Sequence, residues 1–150
     1  MDNPTVFISY SHDNDEHKSW VLKLASDLRR HGVDAILDQW DLHIGNDLRF
    51  FMENGLSSSK LVLCICSENY VQKVNTGKGG SGYEGMIITQ PLLTDANYDF
   101  IIPIVRNNNS ANKVPTAFGS KLYIDFSDDD KYVAKYSELL ARIYVEDIKR

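Results

Sequence analysis

The sequence predicts an α/β fold, a doubly wound five-stranded parallel sheet with helices on both faces, and three observations carry that expectation. Short β-rich runs alternate with segments of helical periodicity along the whole chain. One run, Lys60 to Cys66, is apolar at every position after the lysine, as a central strand covered on both faces should be. The connections are short, which implies right-handed crossovers between neighbouring strands. At 150 residues the chain has the length of one domain and buries a core without disulfides or metal.

Thr5 to Ser9 is the first strand, and Asp13 followed by Glu16 has the spacing of a capping box that opens a helix. Val21, Leu24, Ala25 and Leu28 recur at helical spacing until His31 and Gly32 stop the run. Val33 to Leu37 is the second strand, Asp38 to Asn46 a polar loop, and Leu48, Phe51, Met52 and Leu56 the stripe of a second helix. After the third strand come Ser67 to Tyr70, a Gly/Lys/Ser-rich stretch from Thr76 to Gly82, and a helical segment from Tyr83 to Gln90 closed by Pro91. Phe100 to Val105 is the fourth strand, placed towards an edge by Pro103, and Lys121 to Asp125 the fifth. Tyr132, Tyr136, Leu140 and Ile143 mark the last helix. The expected strand order is 2-1-3-4-5, the flavodoxin-like arrangement, whose ligand loops follow Ser9, Leu37 and Cys66.

Composition and spacing remove several function classes. Lys and Arg number 16 against 21 Asp and Glu, a formal net charge of -5, which argues against nucleic acid as a partner. The longest apolar run is far short of a membrane span and the N-terminus lacks a signal-peptide pattern, so the expected location is cytoplasmic, without membrane association. Cys64 and Cys66 fit neither redox nor zinc spacing and read as small core residues. The four histidines include no metal-binding pair, so no metal is expected. Ser81 follows no strand as a nucleophile elbow requires, and the formal GxGxxG of Gly77 to Gly82 stands about ten residues after its strand. A phosphate-accepting receiver needs acidic residues where this chain has Ser9-Tyr10-Ser11 and Cys66-Ser67.

Five segments in order carry a resemblance. They are Phe7 to Ser11, Leu28 to Gly32, Val33 to Asp38, the loop Trp40 to Gly45, and Ser59 to Tyr70. Together the chain resembles a TIR (Toll/interleukin-1 receptor) domain of the bacterial TIR and SEFIR type, over 1–150, with the possibility that this is the N-terminal module of a longer protein.

The resemblance implies one of two activities. Many such domains cleave NAD at the nicotinamide glycosidic bond, with NAD as substrate and no resident cofactor; others act as non-catalytic adaptors through TIR–TIR contacts. In the cleaving group a glutamate lies beyond the third strand, and its position is best matched here by Glu84, in Ser81-Gly-Tyr-Glu-Gly85, with Gly80 where some enzymes of the family carry tryptophan. Glu68 is the rival carboxylate, just after the third strand. One carboxylate suffices chemically, because nicotinamide is cationic in NAD and departs neutral, so no general acid is needed. The substrate-binding candidates are Tyr10 and Ser11 after strand one, Asp38 after strand two, and Trp40 in the segment matching the family's BB loop. Tyr10 either offers a stacking face or half-buries its ring; Asp38 either accepts from a ribose or caps a turn; Trp40 is either an interface anchor or a core plug. Further expectations are activation by self-assembly of TIR domains, filament-like in form, control by a C-terminal sensor, and a role in antiphage defence. A nucleotide-binding module without turnover is a third reading.

Overall fold

The computed structural model describes residues 3–77, 85–88 and 100–145. Its five strands are β1 (Thr5–Ser9), β2 (Asp34–Ile36), β3 (Leu61–Cys66), β4 (Ile101–Val105) and β5 (Ile124–Asp125). They form one sheet in the order β2-β1-β3-β4-β5, and every neighbouring pair is parallel. The helices are α1 (Asp15–Arg30), α2 (Asp38–Asp41), α3 (Leu48–Ser58), α4 (Glu68–Thr76) and α5 (Tyr132–Tyr144). The predicted fold class and strand order hold.

The core follows from the apolar runs. All six residues of β3 are buried between β1 and β4, as a strand covered on both faces requires. Trp20, Val21, Leu24, Ala25 and Leu28 form the buried stripe of α1. Phe7 turns towards α3, where Gly55 leaves the space: a Cβ on that glycine would lie 2.4 Å from the Phe7 ring. Cys64 and Cys66 are buried, and burial pushes the Cys64 thiol up to about 12, so both behave as core residues. No helix among the described residues is long and apolar enough to cross a membrane.

Several elements differ from the sequence reading. The N-cap of α1 is Asn14, whose side chain accepts from the His17 N–H; Asp13 is engaged elsewhere and forms no capping box. The loop after β2 begins with the single turn α2, because the Asp41 carboxylate captures the Leu37 N–H and closes it. Helix α4 went unread in the sequence. Its N-cap is Ser67, which accepts from the Tyr70 N–H, and its buried side chains are Tyr70, Val71 and Val74. Of the expected helix 83–90, the described positions Gly85 to Ile88 are not helical, since Gly85 pairs with Ser11 instead. The fourth strand does lie towards an edge as expected, one strand in from β5. Pro103 is tolerated in β4 because β5 meets that strand only at Ile104 and Val105, beyond the proline.

Candidate active site

The carboxyl ends of β1, β2, β3 and β4 converge on a buried polar layer. β1 ends at Ser9, and the next two residues are gripped by a passing segment. The Tyr10 N–H donates to Met86 O at 3.1 Å, the Met86 N–H donates back to Tyr10 O at 2.8 Å, and Ser11 and Gly85 form an antiparallel bridge. The two backbones approach so closely that only glycine fits. A Cβ at position 85 would lie 2.5 Å from Tyr10 O and 2.8 Å from Ser11 Cα, and φ there is +127°. The Ser9 hydroxyl donates to Met86 O and lies 2.7 Å from the Tyr70 hydroxyl, which ties α4 to the same junction. Glu84 itself lies outside the described residues.

Asp38 stands where β2 hands over to α2, and both of its carboxylate oxygens are engaged. The Tyr10 hydroxyl donates to Oδ1 at 2.7 Å, and His12 Nε2 lies 2.9 Å from Oδ2. Gln39 Nε2 donates to the Tyr10 hydroxyl at 2.9 Å. Asp38 does not cap the turn, a task that falls to Asp41. Tyr10 is 0% exposed, so its ring is buried and presents no stacking face; His12 and His17 flank it at centroid distances of 5.2 and 6.3 Å.

Ser11 belongs to a second network, centred on Asp13. Asp13 Oδ1 accepts from the Ser11 hydroxyl at 2.5 Å and from Asn69 Nδ2 at 2.9 Å. The Ser67 hydroxyl lies 3.3 Å from that of Ser11, and buried His17 places Nε2 3.9 Å from Asp13 Oδ2. Burial alone would raise the Asp13 carboxyl, but hydrogen bonds from Ser11, Ser67 and Asn69 and the nearby His17 outweigh it and hold it below its ordinary value. Burial pushes His17 the other way, below 6.5; the Asp13 charge opposes this, and Arg106 and His12 add to it. Asn107, beyond β4, adopts φ +55° and brings Nδ2 to 3.4 Å from His17 Nδ1. Glu68 is exposed and spends its carboxylate on the Asn109 N–H at 3.1 Å.

Trp40 turns elsewhere. It is half-buried against the core, and the Arg29 guanidinium lies 4.0 Å over its ring while donating to Ala35 O at 2.9 Å. The structure therefore joins Tyr10 to Asp38, puts Ser11 beside them, and gives Trp40 to the β2 edge. Sequence reasoning missed His12, Asp13, His17, Asn69 and Asn107. Their signal was positional: His12, Asp13, Asn69 and Asn107 follow the carboxyl end of β1, β3 or β4 within a few residues, and His17 lies in the first turn of α1, the helix that follows β1.

Chemically, the layer gathers hydroxyl, amide, imidazole and carboxylate groups into a preorganised frame of mutual hydrogen bonds. Among the described residues no three His, Cys, Asp or Glu side chains gather to hold a metal ion.

Comparison with known proteins agrees with this architecture. A 68-residue stretch is 32% identical to the NAD(+) hydrolase TcpA of Theionarchaea archaeon, covering 45% of this chain and 20% of that protein. A 70-residue stretch is 29% identical to the 2' cyclic ADP-D-ribose synthase AbTIR of Acinetobacter baumannii, covering 47% and 26%. The matches thus span about a fifth to a quarter of those relatives' lengths. A solved prokaryotic SEFIR domain superposes with a TM-score of 0.86 at 36% identity, over 99% of this chain and 97% of that one. The TIR domain of the Toll-related receptor TRR-2 from Hydra magnipapillata shares the fold, with a TM-score of 0.66 at 20% identity over 93% and 98% of the two chains. The family model described as TIR domain matches residues 6–140, and the chain belongs to the TIR domain family.

Proposed function

We propose that this domain cleaves NAD at the nicotinamide–ribose bond, with Glu84 as the catalytic carboxylate. One observation carries the reading: Gly85, the covalent neighbour of Glu84, is bonded to Ser11 at the carboxyl rim, beside the Tyr10–Asp38–His12 cluster. The names of two distant relatives, a hydrolase and a cyclase of NAD chemistry, support it. The glycosidic bond breaks with its electron pair passing to the nicotinamide nitrogen, which leaves neutral, and positive charge develops on the ribose. A carboxylate beside the sugar stabilises that charge, the more so where water is excluded. Water then adds to C1′ and loses a proton to solvent, giving ADP-ribose, or a hydroxyl of the same molecule closes a cyclic product.

In this scheme Tyr10, Ser11 and Asp38, each buried and hydrogen-bonded within the protein, form the polar layer that backs the nucleotide site. Trp40 and the following loop, with Ile44 and Phe50 exposed, meet a second TIR domain. Assembly completes the pocket, so activity per molecule rises with concentration. Control by a sensor domain and service in antiphage defence belong to the same reading.

The test is chromatographic detection of nicotinamide after incubating clustered protein with NAD. If Glu84 contributes about 3 kcal/mol, Glu84→Gln slows turnover on the order of a hundredfold or more. A wild-type protein that binds other TIR domains and releases no nicotinamide is an adaptor. The likeness to the prokaryotic SEFIR domain over the whole chain is a likeness of fold and leaves that second reading open.

A further inference from the structure

We propose that His17 is an acid-sensitive tie at the carboxyl rim: its neutral imidazole holds the loop after β4 against α1, and its protonated form releases that loop and turns to Asp13. This device belongs to the frame of the site and operates whether or not the domain turns over NAD.

The imidazole is enclosed yet incompletely bonded. His17 is 0% exposed, its Nε2 has no hydrogen-bond partner among the described residues, and its Nδ1 lies 3.4 Å from Nδ2 of Asn107. An amide nitrogen can only donate, so Nδ1 accepts and the ring proton sits on Nε2. The carboxylate beside Nε2 is that of Asp13, whose Oδ2 lies 3.9 Å away, beyond hydrogen-bond reach. A second proton on the ring reverses both relations. Nδ1 becomes a donor set against a donor, while the new positive charge draws Nε2 towards the Asp13 carboxylate. Asn107 is the partner that yields: it is exposed, so its amide finds water on leaving, whereas Asp13 is held by Ser11 and Asn69.

The charges around the ring set when this happens. Asp13 and His12 face it from the segment after β1, Arg106 faces it from the residue after β4, and the Tyr10 ring lies 6.3 Å from it. Arg106 is buried, pairs with Asp129 beyond β5 and lies 4.6 Å over the ring of Trp20, which is one turn along α1 from His17. Burial, then Arg106 and His12, disfavour the imidazolium and Asp13 favours it; the balance keeps the tie closed at neutral pH and puts its release below 6.5. The loop keeps a separate anchor on α4. The Glu68 N–H donates to Asn107 O at 3.2 Å, and the Asn109 N–H donates to Glu68 Oε1 at 3.1 Å. Release therefore uncouples this loop from α1 and leaves it attached to α4.

An NMR titration of the whole chain from about pH 7.5 to about pH 5 tests the tie across the histidine range. Imidazole nitrogen shifts report the charge on His17, the NOE between its ring and the Asn107 side chain reports the tie, and amide protection at Glu68 and in β3 reports the anchor and the fold. The expected result is an NOE lost in step with the titration of His17, at a midpoint below 6.5. Protection at Glu68 and in β3 stays within about threefold across that step. In His17→Gln the Asn107 signals no longer depend on pH. Asn107→Asp keeps the side-chain size at a position whose φ is +55°, a backbone that aspartate adopts. There the introduced carboxylate holds the imidazolium, so the midpoint rises by about one unit or more and acid closes the tie instead of opening it. An NOE that persists through the titration of His17 overturns the proposal, as does loss of β3 protection in step with the NOE. So does a His17 that stays neutral until the sheet melts, or an unraised midpoint in Asn107→Asp. If His17→Gln fails to fold, Asn107→Asp decides by its midpoint.

Discussion

Two buried aspartates, Asp27 and Asp38, each receive a tyrosine hydroxyl at 2.7 Å, from Tyr132 and Tyr10 respectively. Their other partners differ in kind. Asp27 lies on α1 between Lys23 and Arg30 of its own helix, and its peptide carbonyl accepts from Tyr136 on α5 at 2.8 Å. Asp38 has His12, which belongs to the loop after β1, and it sits where the segments after β1 and β2 meet. The first arrangement staples one helix to another with permanently charged groups at the surface. The second gathers side chains that follow different strands into a buried polar layer. The same residue type at similar burial thus serves cohesion on the flank and assembly of a site at the rim.

That contrast can be broken by substitution. Asp27→Ala should give the largest loss of stability, about 3 kcal/mol, because it strips a partner from two cations and a buried hydroxyl. Chemical denaturation measures it, and nicotinamide release per folded molecule should stay within about twofold of wild type. Asp38→Asn should reverse the pattern: turnover falls about tenfold, equivalent to about 1.4 kcal/mol, with a smaller stability change. Equal damage to stability and turnover in both variants would erase the distinction between flank and rim.

A pH titration sharpens it further. His17 has its folded pKa lowered below 6.5, so at mildly acid pH the unfolded chain binds the proton that the folded chain resists. Stability should therefore decline as pH falls below about 6.5, the ordinary histidine value. Asp13, also lowered, contributes stability above its ordinary 3.8 that is lost as pH falls through its folded value. Melting curves should show both declines, and His17→Gln should remove the first while leaving the second. The smallest effect belongs to Lys23→Met. Its ammonium is 59% exposed and pairs with Asp27 at 2.9 Å while lying over the Tyr132 ring, a combination worth about 0.5 kcal/mol in thermal unfolding.

The sheet was legible because its centre is coded redundantly: β3 is apolar throughout, and the stripe of α1 repeats at 3.6 residues. Elements stabilised by single polar contacts were not. The turn α2 exists because Asp41 reaches the Leu37 N–H, and α1 begins at Asn14 because Asp13 is drawn to Ser11 and Asn69. Helix α4 was overlooked because a nine-residue element with three buried side chains leaves little periodicity to detect. At the site, Tyr10, Ser11 and Asp38 could be named from the rule that ligands gather at strand carboxyl ends. Their pairings could not, since a hydrogen bond between residues 28 apart, such as Tyr10 to Asp38, leaves no mark in local sequence.

Cys64 and Cys66 give the domain a built-in reporter. Both thiols sit in the middle strand, held in their unreactive protonated form by burial, and they are the chain's two cysteines. An alkylating reagent can reach them only when the centre of the sheet opens. Labelling rates therefore read out how often that happens, without an engineered probe. If assembly with other TIR domains or nucleotide binding tightens the rim, the same clock should run slower.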